Sequence, residues 1–220
     1  MKTQSMKKRK ITLKEEKGLW KKGYKYIAGL DEAGRGPLAG PVIAAAVMIN
    51  SKIKALNPSD LKLRDSKKLT PKAREKFYKT LTTHTGIWWG MGRVSEKVID
   101  RINILEATKL AMKKAIKNLE KKPNKRVDFL ILDGNFKIDL PITQKSVIKA
   151  DNKVFSCAAA SIIAKVKRDK MMERYHKKFL NYGFNQHKGY PTKLHRKMLK
   201  KYGPCQIHRK TFKPVKSLPK

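Results

Sequence analysis

The chain has 220 residues, with 54 Lys or Arg against 17 Asp or Glu and a formal charge of +37. Its 40% hydrophobic and 32% charged residues are the composition of a folded domain, and the charge makes polyanions the first candidate partners, nucleic acid before an anionic membrane. No apolar run reaches the roughly 18 residues of a membrane span, no apolar signal segment follows the basic N-terminus, and Cys157 and Cys205 form no CxxC pair, which argues against a zinc or redox motif; the expectation is a soluble cytoplasmic protein with Cys157 as a buried free thiol.

Residues 1–23, which include Lys7-Lys8-Arg9-Lys10, read as a basic, poorly ordered arm with extra grip on phosphate. Order is expected from Tyr24. Tyr26 to Leu30 reads as a strand ending in Asp31, followed by a Gly/Pro-rich turn. Val42 to Ile49 suits a buried strand. Residues 51–69 are polar and read as loop. Thr70-Pro71 marks a helix start, with Thr70 as N-cap and Pro71 in the first turn. Ile87 to Val94 reads as a third strand, and helical spacing of Ile102, Leu105, Leu110, Ile116 and Leu119 predicts a helix over about 102–120. Val127 to Leu132 is a short strand ending in Asp133-Gly134, Ser146 to Lys149 is another, and a long helix is expected from about Asn152 to Phe179. The order predicts an α/β fold, a mixed sheet flanked by helices. Residues 174–220 contain no Asp or Glu and read as a basic helical C-terminal part.

With so few carboxylates, their positions carry information. Asp31 and Glu32 directly follow one apolar strand, Asp133 follows another, and Asp151 lies between a strand and the long helix. Ligand sites in α/β sheets form at the carboxyl ends of strands. Each residue alone also reads as structural: Asp31 and Asp133 as turn formers, Asp151 as a helix N-cap. Together they favour a shared site. Four carboxylates in a small volume repel one another and tend to bind protons. Divalent cations with oxygen preference relieve that cost, and two such ions about 4 Å apart can stabilise the attacking and leaving oxygens of a phosphodiester. Neighbours in a regular strand face opposite ways, so Asp31 and Glu32 are expected to share the site only if the chain turns between them. Asp169 lies 18 residues after Asp151, roughly 27 Å along a helix, and is assigned a structural pairing with Arg or Lys.

The run from Gly29-Leu30-Asp31-Glu32-Ala33-Gly34-Arg35-Gly36-Pro37 to Val42 closely resembles the signature of ribonuclease HII. Five further blocks agree in order: Asp65-Ser66-Lys67-Lys68-Leu69; Leu132-Asp133-Gly134; Asp151-Asn152-Lys153 with Ala158 to Val166 and Arg168-Asp169; Tyr182-Gly183-Phe184 with His187 to Thr192 and His195; and Tyr202-Gly203-Pro204 with His208 to Phe212. The resemblance spans about residues 24–215. It implies a ribonuclease H-like catalytic domain over 24–173 and a basic helical nucleic-acid-binding part over 174–220. It implies an acidic quartet of Asp31, Glu32, Asp133 and Asp151 holding Mg²⁺ or Mn²⁺, two ions in all. It also implies a cut on the 5′ side of a ribonucleotide, in RNA/DNA hybrids and at single ribonucleotides within duplex DNA. Val154 and Cys157 depart from the family, standing where many relatives carry a hydroxyl and a branched aliphatic residue, and the +37 charge is high for it.

By the same resemblance, Gly34-Arg35-Gly36 reads the ribose. Glycine lets the backbone approach a sugar, and the 2′-OH is what distinguishes RNA from DNA. Tyr190 would stack on the sugar after the ribonucleotide. Lys67, Lys68, His208, Arg209 and Lys210 are candidate phosphate contacts. Taken from the residues alone, the loop reads equally as a tight turn, Tyr190 as a surface aromatic, and each cation as solvated charge. A resolvase- or integrase-like nuclease and a noncatalytic basic binding protein stay open as alternatives; the glycine loop argues against the first and the acidic clusters against the second. A monomer is expected.

Overall fold

The computed structural model describes residues 11–49, 69–121 and 126–218. Lys67, Lys68, the surrounding loop and the first ten residues lie outside them. Five strands form one sheet in the order β3-β2-β1-β4-β5: β1 Ile27–Ala33, β2 Val42–Ile49, β3 Ile87–Val94, β4 Phe129–Asp133 and β5 Thr143–Val147. The first three pair antiparallel, and β1–β4 and β4–β5 pair parallel. The expected mixed sheet is therefore present, and β2 and β3 have the bounds read from their apolar runs. The last strand lies a few residues earlier than Ser146–Lys149.

β2 is buried along its whole length, because helices cover both faces. Ile43, Ala45, Val47 and Ile49 point to one side, where they meet the long helix α4 (Phe155–Lys178) and Leu81 of α2 (Pro71–Thr83). Val42, Ala44, Ala46 and Met48 point to the other, against α3 (Glu96–Glu120). The period of two that sorts these residues also sorts the functional ones. On β1, Ala28 and Leu30 face α3, and Gly29 faces α4 so closely that a Cβ there would collide with the Ser156 backbone.

Capping side chains mark some helix starts and not others. Thr70 accepts from the Ala73 amide at 3.2 Å, as expected of an N-cap followed by Pro71. The helix expected over 102–120 begins earlier, at Glu96. Asn103 interrupts it with φ +64°, and its Oδ1 accepts from the amides of Leu105 and Glu106, so Asn103 caps the second segment, the part the spacing had marked. Asp151 is not the cap of the long helix. It sits in a single 3-10 turn, Ala150–Asn152, and Val154 takes the cap position.

The N-terminal region requires a larger correction. Residues 14–21 form helix α1 rather than a loose arm, and Ile11, Leu13 and Leu19 are buried. Glu16 is fully buried; its Oε1 accepts from the Ser156 backbone amide and hydroxyl, both at 2.8 Å. One carboxyl from α1 thus satisfies a free amide in the first turn of α4, which has no side-chain cap of its own. Burial pushes the Glu16 carboxyl above its ordinary range, and the Ser156 bonds oppose that rise.

The proposed boundary at 173/174 falls inside α4. Beyond it come α5 (Phe184–His187), α6 (Lys193–Tyr202) and turns around a small core that includes Met172, Tyr182, Phe184 and Leu199, which also takes in Leu38 and Ala39 from the β1–β2 connection. No helix among the described residues is long and apolar enough to cross a membrane. Replacing Glu16 with Ala should lower stability by about 2–3 kcal/mol, since it orphans buried donors at the head of α4, whereas Glu16→Gln, which keeps the acceptor, should lose less; urea unfolding midpoints measure both.

Candidate active site

The parallel register of β1 and β4 pairs Leu30 with Leu132, so Asp31 and Asp133 follow side by side at the carboxyl ends of neighbouring strands. Both fall on the α4 face. Asp151 arrives from the turn before α4, and its position is tied to Asp133, whose Oδ1 accepts from the Ala150 amide at 2.8 Å. One ligand atom from each of Asp31, Asp133 and Asp151 lies within 4.8 Å of the others.

Glu32 is not in that group. The chain does not turn between Asp31 and Glu32, since β1 continues to Ala33, and Glu32 leaves the sheet on the opposite face. It still lines the same cavity from the strand end, where Arg35 meets its Oε1 at 3.4 Å. Burial, followed by the charges of Glu32 and Asp133, pushes the Asp31 carboxyl well above the ordinary range. Bonds from Ser161 and the Glu32 amide act the other way. A cluster of oxygen-only donors around a buried carboxyl suits a hard divalent cation.

The cavity has a volume of about 250 Å³. Besides Asp31, Glu32 and Asp133, its walls are Ala33-Gly34-Arg35-Gly36, Ser161, Lys165 and Tyr190. Gly34 has φ +101°, and a Cβ on it would collide with the Arg168 side chain, so position 34 admits only glycine on two counts. Tyr190 is partly exposed, with Lys165 Nζ 5.8 Å from its ring centre. Ser161 and Lys165 had no role assigned from sequence. Their spacing, with Arg168 one turn further, is a single helical face of α4 and was the available signal. Asp169 behaves as expected: it accepts from Lys165 at 2.8 Å and lies 3.8 Å from Arg74.

A ribonuclease HII family model matches residues 28–215. The chain is 48% identical over 197 residues to ribonuclease HII of Caldicellulosiruptor saccharolyticus, covering 90% of this chain and 91% of that one. The chain belongs to the ribonuclease HII family. It is accordingly an endoribonuclease. Ribonuclease HII of Chlamydia caviae is also 48% identical, over 92% of this chain and 91% of its own. Among solved structures, ribonuclease H2 of Pyrococcus horikoshii OT3 superposes with a TM-score of 0.69 at 30% identity, covering 87% and 96% of the two chains. The ribonuclease HII of Archaeoglobus fulgidus, solved as a complex with PCNA, gives 0.69 at 26%, covering 86% and 95%. Bst-RNase HIII, solved with Mn²⁺, gives 0.67 at 17% and supports the fold alone.

Two of the expected phosphate contacts of this ribonuclease are misplaced. His208 is 2% exposed and Arg209 is 0% exposed. Neither can meet a phosphate at the surface, and both are structural. Lys210 is exposed, with its amide held by Asp100 at 2.9 Å.

His208 belongs to a chain of neutral rings. His208 Nδ1 accepts from the Cys205 amide at 2.9 Å, and the His208 and His195 Nε2 atoms meet at 3.0 Å. His195 Nδ1 in turn reaches the Tyr190 carbonyl at 2.9 Å. That carbonyl can only accept, so His195 carries its proton on Nδ1 and receives one from His208. A second proton on His195 would break the link between the rings. Burial lowers His195 to about 4. Burial and the neighbouring His195 lower His208 to about 3. Both lie below the ordinary 6.5, so below that pH the unfolded chain binds protons that the folded chain excludes. Stability should be full above pH 6.5 and fall as pH drops towards about 4, by roughly 1.4 kcal/mol per ring per pH unit. Urea midpoints at pH 7 and pH 5 test this, and a flat profile would refute the neutral assignment.

Proposed function

We propose that this ribonuclease hydrolyses the phosphodiester on the 5′ side of a ribonucleotide, both in RNA/DNA hybrids and at single ribonucleotides embedded in duplex DNA. The observation that carries the reading is that Asp31 and Asp133, whose carboxylates cluster with that of Asp151, line one cavity together with the Gly34-Arg35-Gly36 loop and Tyr190. That arrangement would set a group that cuts beside a group that tests for a 2′-OH.

Asp31, Asp133 and Asp151 would hold Mg²⁺ or Mn²⁺, two ions in all, with Glu32 completing the set from the cavity edge. When bound, the ions supply charge neutralisation and an activated water. The reaction adds water oxygen to phosphorus and breaks the bond from phosphorus to the 3′ oxygen of the preceding nucleotide. That oxygen takes a proton and leaves as a 3′-hydroxyl, and the ribonucleotide keeps a 5′-phosphate.

The remaining residues sort by task. The backbone of residues 34–36 would contact the 2′-OH, which duplex DNA lacks. The Tyr190 ring would pack on the next sugar and disfavour a second 2′-OH there. Arg35 and Lys210, both exposed, would meet phosphates, setting affinity and salt dependence rather than the position of the cut. Residues 174–220 would extend this basic footprint over the duplex, and the enzyme would act as a monomer.

With Mg²⁺ and a labelled duplex containing one ribonucleotide, the wild type should cut once, on the 5′ side, and leave an all-DNA control intact. Asp133→Asn should lose about 10³-fold or more in rate, because it removes an anionic metal ligand. Binding without cutting in both Mg²⁺ and Mn²⁺ would overturn the assignment. In the same assay, Tyr190→Ala should cut an all-RNA strand relative to a single ribonucleotide about tenfold more than wild type does; an unchanged ratio would remove Tyr190 from junction recognition.

A further inference from the structure

Two buried guanidiniums lie behind the sugar-reading loop, and the proposed reaction makes no use of either. Arg168 and Arg209 are both 0% exposed. Among the described residues, neither has a carboxylate within ion-pair distance. Every hydrogen bond they donate goes to a backbone carbonyl. Arg209 bonds Gly34, Arg35 at 2.8 Å and Gly40 at 2.9–3.0 Å. Arg168 bonds Pro41 and Ala39, each at 3.1 Å, and Lys188 at 2.9 Å.

Burying two cations side by side costs heavily unless their donors are satisfied. Here the bonds go almost entirely to one short segment, residues 34–41. In a trans peptide the C=O of one residue and the N–H of the next point opposite ways. Turning the carbonyls of Gly34 and Arg35 towards Arg209 therefore turns the amides of Arg35 and Gly36 away from it. Arg168 ties the same segment to Lys188, two residues before Tyr190, and its guanidinium lies 5.9 Å from the Tyr190 ring centre. Arg168 also fills the space beside Gly34 that a Cβ would need.

We propose that Arg209 and Arg168 are positioning residues for 2′-OH recognition: together they fix the peptide orientations of Gly34-Arg35-Gly36 and hold Tyr190 in register with that loop. This rests on the sugar-reading role given to the loop above. Lysine cannot replace either arginine, because a single ammonium cannot span three carbonyls in a plane.

The test is Arg209→Lys beside wild type, with three readouts on folded protein: Mn²⁺ binding by calorimetry, affinity for an all-DNA duplex, and kcat and KM on a duplex with one ribonucleotide. Mn²⁺ binding, DNA affinity and KM should stay within about twofold, while kcat falls about 100-fold, the cost of misplacing a recognition group by about an ångström. A folded variant with kcat within threefold of wild type overturns the proposal. So does a loss of kcat matched by an equal loss of Mn²⁺ binding, which would mark a general packing defect. If Arg209→Lys does not fold, Arg168→Lys is read by the same criteria. A wild type that fails to cut at the ribonucleotide overturns the functional reading and this one with it; a wild type that cuts beside an indifferent variant overturns only this one.

Discussion

The site depends on the parallel pairing of β1 with β4. That register sets Leu30 beside Leu132 and leaves Asp31 and Asp133 adjacent, on one face, at the ends of two buried strands. Such a pair is unfavourable when both are charged: burial first, then the charges of Glu32 and Asp133, push the Asp31 carboxyl upward. The sheet cannot relieve the repulsion by moving, because β1 is flanked by β2 and β4 and covered by α4. Packing therefore holds the carboxylates together, and a bound divalent cation would offset their repulsion. A chain with 54 basic side chains has many cations that could neutralise these aspartates. Lys165, the amine that lines the cavity, is instead engaged by Asp169 at 2.8 Å.

Helix α4 unites the parts. Its first turn rests on Glu16, its small residues Ala158, Ala159 and Ala160 let it lie flat on the sheet, and Gly29 admits it to within backbone contact. The same helix then presents Ser161 to Asp31, Lys165 to the cavity and Arg168 to the glycine loop. A rotation of α4 by one residue, about 100°, would disengage all three. Capping at its head therefore bears on chemistry some distance along its length.

The sequence patterns that survived folding were those enforced by burial alone. The apolar runs of β2 and β3 give their own bounds, and strand ends locate Asp31 and Asp133. What failed were inferences from residue type to exposure. Lys14–Lys21 is mostly charged, and its lysines do face water. Leu19 and Glu16 decide its fate, and nothing local marks a glutamate that will be buried against Ser156, 140 residues on. His208 and Arg209 were read as surface cations for the same reason. Arg209 bonds loop carbonyls some 170 residues earlier in the chain, and His208 meets His195 of α6, relations that no spacing rule within a segment can reveal. Glu32 was harder still: strand parity put it on the other face, correctly, but at a strand end a side chain can reach the same cavity from that face.

The charge distribution gives the protein two separate electrostatic regimes. Exposed lysines and arginines act through solvent, are screened over about 8 Å at physiological salt, and can hold a polyanion without regard to sequence or sugar. Inside, the balance reverses: carboxylates meet at one wall of the cavity, and the two buried guanidiniums behind the opposite loop are consumed by carbonyls. A phosphodiester drawn in by the outer field therefore meets an acidic centre that would repel it unless cations intervene. On the proposed reading, attraction to nucleic acid in general and competence to cut it would thus be separated, the first set by the surface and the second by metal loading and the fit of a sugar against residues 34–36.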